Sequence, residues 1–458
     1  MLDASLVEKL TELLGASAVI QDPETVERYS TDALTPSRAF AAAPLLEHTA
    51  DLVVRPNCTE QVSAVVKLAS AHRVPVVPYG GGTGVMGALV PLRSGIILDL
   101  GAMDRVLEVD PLSRTATAEA GTVLERLAKT LDGQGLMLGH DPWSVPIATV
   151  GGTISTNGVG YRGASVGPMG AQVLALEVVL PSGEVLTTRR VPKYSSGPNL
   201  NQLFIGSEGV FGVITKATLR VFQKPEERIF STFRFPSFEK GFQAVNGMFG
   251  IGLRPSVVDL TEDFEGVHLY LVFEGYKEQV EAQRRRSGQV CASAEGRDMG
   301  PTEAIIYWDT RYQIAEHYRD SVAGRSRKER WERQSRAFDY LHVALPASQV
   351  LEYRRRADAV LKQYDIRVTE YAIWTEPELY SMLLVPGDLT KEGDLPVAVD
   401  RVLMLAQDMG GIMEYCHGVG VKLSHLLARE MGTGQEVVAA LKKALDPHDI
   451  MNPGKLGL

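Results

Sequence analysis

Two glycine-rich segments in the N-terminal half of the chain are the residues best suited to chemistry. The first is Pro78-Tyr-Gly-Gly-Gly-Thr-Gly84, and the second is Thr149-Val-Gly-Gly-Thr-Ile-Ser-Thr-Asn-Gly158. Consecutive glycines can take positive φ and present a row of backbone N–H groups, with no side chain to block a ligand. Such a concave row of amides binds phosphate oxygens. The two segments therefore predict a large cofactor that carries phosphate groups.

Neither of the standard nucleotide-binding loops fits these segments. A Rossmann fingerprint follows a strand, opens a helix and has an acidic residue ~20 positions later. Here the first segment leads to Pro91 and then to a β-branched, strand-like run at 95–100. Proline and β-branched residues make a crossover helix there unfavourable. No Gly-Lys-Ser/Thr closes a P-loop either, so neither an NAD-linked Rossmann dehydrogenase nor a P-loop protein is predicted.

Short strands and amphipathic helices surround the glycine segments. Apolar alternation and β-branched runs predict strands at 52–54, 74–77, 96–98, 106–109, 115–118, 173–180, 184–188, 230–235 and 267–273, and a strand pair over 209–222. Helical apolar spacing predicts helices at 4–14, 59–69, 123–131 and 436–445. The turn Pro181-Ser-Gly183 joins two of the strands in a hairpin. A boundary is expected at Lys224-Pro-Glu-Glu227.

Composition restricts the class of protein. The chain has 458 residues and a net charge of −9, which argues against a general nucleic-acid binder because phosphate backbones need a basic surface. The three cysteines are too few and too scattered for a disulfide framework, a zinc site or an internal iron–sulfur cluster. The N-terminus lacks the features of a signal peptide, and no run of ~18 apolar residues predicts a membrane span. We expect a cytoplasmic protein.

Further motifs, in a fixed order along the chain, give it a family resemblance. They are Gly167-Pro-Met-Gly170, Leu176-Glu-Val-Val-Leu-Pro-Ser-Gly183, Phe204-Ile-Gly-Ser-Glu-Gly209, Gly212-Val-Ile214, His417-Gly-Val-Gly420 and the stretch from Asp446 to Gly454. With them the chain resembles the FAD-linked oxidases of the vanillyl-alcohol-oxidase/p-cresol-methylhydroxylase (PCMH) type. Within that group it resembles the branch of the glycolate-oxidase D-subunit, D-lactate dehydrogenase and alkyldihydroxyacetone-phosphate synthase.

The resemblance implies an α+β fold in three parts. A two-subdomain PCMH-type FAD-binding domain would cover residues 1–225, with its core at about 46–225. A cap domain that binds substrate on an α+β framework with an antiparallel sheet would cover 226–411. Residues 412–458 would return to the FAD domain and the active site.

The resemblance also implies FAD as the cofactor, held without a covalent bond. Members with covalent flavin often place a histidine in the first glycine loop, where this chain has Gly81-Gly82-Thr83. By position, the first segment would wrap the diphosphate and the second would approach the diphosphate and the isoalloxazine edge. Glu208 and Ile214 would lie near the ribose and adenine. The implied cofactor-binding residues are Pro78, Tyr79, Gly80, Gly81, Gly82, Thr83, Gly84, Gly87, Thr149, Gly151, Gly152, Ser155, Asn157, Gly158, Glu208, Gly209, Gly212, Val213, Ile214 and Asn452.

His417 is the predicted catalytic base. An imidazole titrates near neutrality, which suits the removal of a substrate proton beside the flavin, and Tyr415 would line the substrate pocket. Relatives carry an arginine before the first aspartate of the cap, but here Val258 precedes Asp259. The arginines considered in its place are Arg254, Arg311, Arg319 and Arg367. Arg367 is preferred because it lies in the segment that replaces a metal motif of the relatives.

That metal motif is the chain's main departure from its relatives. Hydroxy-acid dehydrogenases of the branch usually carry His-x-Gly-Asp-Gly-Asn-x-His and a Glu-His-Gly, which would bind a divalent metal. Residues 367–378 contain no histidine, and Cys416 stands where the glutamate would be. Without two imidazoles and a carboxylate we predict no metal site. Cys416 and His140 are expected to have structural roles.

The predicted function is an FAD-dependent oxidoreductase that oxidises a small 2-hydroxy acid, similar to glycolate or D-lactate, by hydride transfer to flavin N5. An acceptor protein, a quinone or oxygen would take the electrons, and a homodimer is one assembly open to the chain. Two alternatives stay open. One is a transferase without net redox, similar to alkyldihydroxyacetone-phosphate synthase, although that branch has three histidines where this chain has Tyr415-Cys416-His417. The other is a flavin-binding subunit whose active site has degenerated.

Overall fold

The computed structural model describes residues 2–333, 337–388 and 393–458. Its α-helices are α1 (Ala4–Leu14), α2 (Pro23–Tyr29), α3 (Pro36–Ala39), α4 (Thr59–His72), α5 (Leu124–Asp132), α6 (Val150–Thr156), α7 (Gly163–Val166), α8 (Met169–Gln172), α9 (Asn201–Phe204), α10 (Phe238–Gly250), α11 (Lys277–Ser293), α12 (Thr302–Thr310), α13 (Gln313–Ser321), α14 (Arg327–Arg333), α15 (Ala347–Gln363), α16 (Leu395–Asp408), α17 (Ser424–Met431) and α18 (Thr433–Leu445). Its strands are β1 (Val19–Ile20), β2 (Leu52–Val54), β3 (Val76–Tyr79), β4 (Ile96–Asp99), β5 (Val106–Asp110), β6 (Thr115–Glu119), β7 (Leu136–Met137), β8 (Val173–Val179), β9 (Val185–Thr187), β10 (Val213–Arg220), β11 (Phe222–Gln223), β12 (Glu227–Phe235), β13 (Val257–Asp263), β14 (Gly266–Gly275), β15 (Arg297–Gly300), β16 (Asp339–Ala344), β17 (Ile366–Trp374) and β18 (Leu379–Pro386).

A small mixed sheet carries the first glycine segment. Its strand order is β1-β2-β4-β3, in which β4 lies parallel to both β2 and β3. Parallel neighbours need a crossover connection, and α4 provides one between β2 and β3 by burying Val62, Val65 and Val66 against the sheet. The strand β3 ends at Tyr79, so the glycines begin where the sheet stops.

A five-stranded antiparallel sheet, in the order β5-β6-β10-β8-β9, lies next along the chain. The predicted hairpin is confirmed, because β8 and β9 pair across the turn at 181–183. The predicted strand pair over 209–222 is wrong. Residues 213–220 form the single strand β10, which lies between β6 and β8 and so cannot fold back on itself.

The third sheet has seven antiparallel strands in the order β15-β12-β14-β13-β17-β18-β16. Helices α10, α11, α15 and α16 bury apolar side chains in the core behind it. The chain enters this sheet at Glu227, where β12 begins. The architecture confirms the predicted α+β class, with a mixed sheet, an antiparallel sheet and a larger antiparallel cap sheet.

The C-terminal residues return to the first sheet. Met451 forms a parallel bridge with Val76, and the amide of Asn452 donates to the carbonyl of Val76 at 2.9 Å. Residues 417–420 lie between the cap and the glycine segments, since the amides of Val421 and Lys422 both donate to the carbonyl of Met86. Within the described residues, every helix is too short or too polar to span a bilayer.

Candidate active site

The two glycine segments touch each other, and their contact explains why they are glycines. A Cβ atom on Gly80 would lie 2.5 Å from Oγ1 of Thr149, and one on Gly81 would lie 2.5 Å from the carbonyl oxygen of Ile147. Gly82 has a φ of +65°, which L side chains rarely adopt. The first segment is therefore pressed against the start of α6, and larger residues would push the two segments apart.

The second segment is the short helix α6 with its two caps. The Thr149 side chain accepts from the amide of Gly152 at 3.3 Å, as expected of a threonine N-cap. The helix ends at Asn157, whose φ is +53°. A Cβ on Gly151 would lie 2.7 Å from Cβ of Ala120, so a glycine there lets the helix approach β6.

A cavity of about 620 Å³ opens between these segments, the cap sheet and the C-terminal loop. Its size lies within the ~300–1,000 Å³ usual for ligand pockets. The predicted site residues that line it are Pro78, Tyr79, Gly80, Gly81, Gly82, Thr83, Gly84, Thr149, Gly151, Gly152, Ser155, Gly158, Glu208, Gly209, Gly212, Ile214, Tyr415 and His417. Both glycine segments, the loop at 208–214 and the C-terminal loop thus share one cavity.

Four predicted cofactor residues lie behind the wall of this cavity instead of on it: Gly87, Asn157, Val213 and Asn452. The amide of Gly87 donates to the buried carboxylate of Asp32 at 2.9 Å. The side chain of Asn157 accepts from the amide of Gly170 at 2.9 Å. Val213, the first residue of β10, is buried in the hydrophobic core. These residues hold the lining segments in place.

The side chain of Glu208 links the loop at 208–214 to the loop at 417–420, here called the catalytic loop because it carries the predicted base His417. Its carboxylate accepts from the amides of Val419 at 2.6 Å and Gly420 at 3.0 Å. Its own carbonyl accepts from the side chain of Asn452 at 2.6 Å. Burial raises the pKa of Glu208, and the two amides oppose that shift. Its carboxylate thus holds the loop that carries His417, and its predicted position near the ribose stays a prediction.

His417 lies beside a buried carboxylate. Its Nδ1 atom is 3.4 Å from Oε1 of Glu414, and the same oxygen accepts from the amides of Cys416 at 2.7 Å and His417 at 2.9 Å. Because Nδ1 turns toward Glu414, Nε2 is the ring nitrogen left for the cavity. Burial alone would lower the pKa of His417, but Cys416 and Glu414 raise it to about 10. The sequence predicts an imidazole that titrates near neutrality, whereas the surroundings of His417 raise its pKa above that range.

A second histidine, which sequence reasoning missed, packs against the first. His342 lies on β16 with its ring centroid 4.5 Å from that of His417, at an interplanar angle of 79°. Burial, followed by the charge of His417, lowers the pKa of His342 to about 3, so its ring is neutral. Its Nδ1 has no hydrogen-bond partner among the described residues. The signal in the sequence that could have identified His342 is the alternation of side chains along β16, which places Tyr340 and His342 on the same face of the strand.

These side chains also form a potential metal-ligand set. One atom each of His342, Glu414 and His417 lie within 4.8 Å of one another, the one such group found in the described parts of the chain. Two imidazoles and a carboxylate are a donor set that suits zinc and related ions. His417 stands where the relatives' Glu-His-Gly has its histidine, whereas His342 and Glu414 lie outside both motif stretches. Metal analysis of the purified protein tests the prediction of no metal site.

The cavity has a different arginine from the one expected. Arg367 is exposed on β17 and does not line the cavity, and neither do Arg254, Arg311 and Arg319. Arg38, from α3, lines it instead, with Nη2 at 3.2 Å from Oδ1 of Asp339. The buried Lys422 places Nζ at 2.6 and 2.7 Å from the two oxygens of the same carboxylate. Asp339 therefore pairs with two cations, of which Arg38 is the one that lines the cavity. His140 and Cys416, expected to be structural, line the cavity as well.

Comparisons with known proteins agree with this architecture. A family model described as "FAD binding domain" matches residues 50–189, and one described as "FAD linked oxidases, C-terminal domain" matches residues 224–456. The chain is 31% identical over 431 residues to a D-lactate dehydrogenase of Archaeoglobus fulgidus, covering 88% of this chain and 91% of that one. It is 27% identical to the glycolate oxidase subunit GlcD of Bacillus subtilis, covering 91% of each.

Solved structures share the fold. An alkyldihydroxyacetonephosphate synthase superposes with a TM-score of 0.80 at 20% identity, over 100% of this chain and 86% of the other. A p-cresol methylhydroxylase superposes with a TM-score of 0.79 at 19% identity, over 99% and 96%. At these identities the likeness establishes the fold alone.

Proposed function

We propose that the substrate of this protein is a small 2-hydroxy acid of the glycolate or D-lactate kind. The chain belongs to the FAD-linked oxidases and is an FAD-dependent oxidoreductase. The observation that carries the proposal is the guanidinium of Arg38, which shares its carboxylate partner with Lys422 and lines the cavity that also contains His417. An anionic carboxylate would be bound there, with the neighbouring hydroxyl group near an imidazole. The names of two relatives, a D-lactate dehydrogenase and a glycolate oxidase subunit, support the same class of substrate.

The residues around the cavity fit FAD. The glycine loop at 80–84 would offer backbone amides to a diphosphate, and α6 lies directly against this loop. The first glycine loop contains no histidine to which a flavin could be covalently attached. When bound, FAD supplies a two-electron acceptor for the hydride that leaves the substrate carbon.

The chain's own residues would supply the proton chemistry. Arg38 would hold the carboxylate as a bidentate anchor. His417 would take the hydroxyl proton on Nε2 as the carbon–hydrogen bond breaks and a 2-oxo acid forms. Glu414 would keep Nδ1 protonated and the ring oriented. Tyr415, whose hydroxyl lies 2.9 Å from Oγ of Ser381, would border the substrate.

The first experiment is to add 2-hydroxy acids anaerobically to the purified flavoprotein while its visible spectrum is recorded. We expect one acid to bleach the oxidised flavin bands, and Arg38→Met to raise the KM for that acid at least about tenfold, with Arg38→Lys recovering part of the loss. Arg367→Met is the matched control and should leave KM unchanged because its side chain is outside the cavity. The reverse result for the two arginines would refute the assignment of the anchor.

A second candidate is a transferase without net redox. A moderate sequence similarity favours it: the chain is 27% identical over 462 residues to the alkyldihydroxyacetonephosphate synthase of Trypanosoma brucei brucei, with 90% of this chain and 74% of that one covered. A flavin that no hydroxy acid bleaches would support this candidate. Retention of full activity by His417→Ala in a larger complex would instead indicate a degenerate subunit.

A further inference from the structure

The cap sheet turns one polar face toward the cavity. Strands β13, β17, β18 and β16 are neighbours in this sheet, and alternate residues of a strand share a face. The residues that face the cavity, here called the cap wall, are Asp259, Tyr340, His342, Glu370, Ala372, Trp374, Ser381 and Leu383. Only two of them, Ala372 and Leu383, are aliphatic. A methyl or hydrogen substituent, as in lactate or glycolate, would leave most of this wall without partners.

Two carboxylates dominate the cap wall, and both already accept hydrogen bonds from hydroxyl groups. Glu370 accepts from the hydroxyl of Tyr340 at 2.5 Å. Asp259 accepts from the hydroxyls of Tyr307 at 2.6 Å and Thr261 at 2.7 Å. An ionised carboxylate has about four lone-pair sites. Each group therefore keeps acceptor capacity beyond the bonds made within the protein, in a cavity where an unmet acceptor is costly.

The aromatic side chains next to these carboxylates complete a surface suited to a polar but uncharged chain. Trp374 contacts Tyr161 edge-on, with ring centroids 5.6 Å apart, and Tyr161 contacts Tyr307 in the same way at 5.8 Å. Rings of this kind pack against C–H groups while nearby acceptors bind hydroxyls.

An ammonium group is the other donor that two carboxylates could bind. The guanidinium of Arg38, which lines the same cavity, opposes it. Hydroxyl donors satisfy the acceptors without that repulsion, and the protein itself already uses hydroxyl donors at both carboxylates.

We propose that the substrate is a polyhydroxylated 2-hydroxy acid, such as an aldonic acid, whose additional hydroxyl groups donate to Asp259 and Glu370 on the cap wall. This inference rests on the proposed function, because it assumes that a carboxylate lies at Arg38 and the reacting carbon near His417. It specifies the chemistry of the part of the substrate that lies farther from the reacting carbon. It also assigns Asp259 and Glu370 as determinants of substrate specificity.

The test measures anaerobic flavin reduction with two matched series of acids. One series is glycerate, a four-carbon aldonate and gluconate; the other is lactate, 2-hydroxybutyrate and 2-hydroxyhexanoate, which lack the extra hydroxyls. We expect kcat/KM to be at least about tenfold higher for the hydroxylated member at equal chain length. Equal values, or a preference for the alkyl series, would overturn the inference while leaving a 2-hydroxy acid oxidoreductase intact.

Two variants locate the effect. Glu370→Gln and Asp259→Asn should each raise KM for the hydroxylated acid about tenfold and change KM for lactate less than about twofold, with an unaltered flavin spectrum as evidence of correct folding. An equal loss for both acids would indicate a merely structural role and refute the assignment. Bleaching by alditols but by no acid would also refute the inference, since it requires the carboxylate. No bleaching by any acid would refute the proposed function itself.

Discussion

Glu208 should control the position of the catalytic loop, because its carboxylate accepts two amides of that loop. The substitution Glu208→Ala removes the acceptor of two buried amides, those of Val419 and Gly420. A buried donor left without a partner costs ~1–3 kcal/mol, so the docked loop should lose about 2 kcal/mol at the least. If the reaction requires the docked loop, a loss of about 2 kcal/mol reduces the rate by up to ~30-fold, and the full effect is reached where the undocked loop predominates.

The assay is stopped-flow reduction of the flavin at saturating FAD and saturating substrate, which separates loop position from cofactor loss. Glu208→Gln keeps one side-chain carbonyl as an acceptor and should lie between the wild type and Glu208→Ala. We expect the affinity for FAD to change less than the reduction rate, because the two bonds end on the catalytic loop and not on the cofactor.

The control for general destabilisation is Asp446→Asn. Asp446 also accepts two buried amides, those of Ile450 at 3.0 Å and Met451 at 2.7 Å, but it does not line the cavity. Its variant should lower the melting temperature and leave the reduction rate unchanged. A wild-type reduction rate in Glu208→Ala would show that the clamp does not hold His417 in place.

Three further measurements address the site. Because the pKa of His417 is raised to about 10, the fraction of His417 that can accept a proton grows as pH rises. The rate of flavin reduction should therefore increase above neutrality, and Glu414→Gln should move that increase to lower pH. A rate that is already constant at pH 7 would contradict this assignment. Metal analysis should find no divalent ion at the cluster of two imidazoles and one carboxylate, and chelators should not alter activity; a stoichiometric ion would make His417 a ligand instead of a base. Gly81→Ala would place Cβ 2.5 Å from the carbonyl oxygen of Ile147 and should weaken FAD binding at least about tenfold, whereas Gly250→Ala, with open space around it, should not.

The cofactor side of the cavity could be predicted from the sequence because its requirements are local. A glycine at position 80 or 81 is needed by the backbone around it, so the run of glycines indicates the loop directly. The hairpin around 181–183 could be predicted for the same reason, since its turn residues determine the geometry of the chain reversal. Glu208 shows the limit of this reasoning: its motif was recognised, but its role depends on amides some two hundred positions away in the chain.

The substrate side could not be predicted in the same way, because charge balance there is a property of the folded chain. Arg38 and Asp339 are 301 positions apart, and neither lies in a motif. Lys422 comes from a third segment and joins the same carboxylate. Arg367, chosen because of its neighbours in sequence, lies on an exposed part of β17 outside the cavity. Anchors for a substrate anion therefore have to be sought among pairs that only the fold creates.

The two histidines show how the fold assigns a proton. Both rings are largely buried and nearly in contact, yet the pKa of His342 falls to about 3 while that of His417 rises to about 10. Burial acts on both, and the difference arises because Cys416 and Glu414 together raise the pKa of His417, whereas burial and the charge of His417 outweigh the effect of Glu414 on His342. Two like charges could not share so small a space, so a proton on His417 keeps His342 neutral. The additional proton of this pair, with its positive charge, therefore lies on the ring that the loop at 417–420 presents to the cavity. Any change that undocks this loop should disturb catalysis before it disturbs the fold.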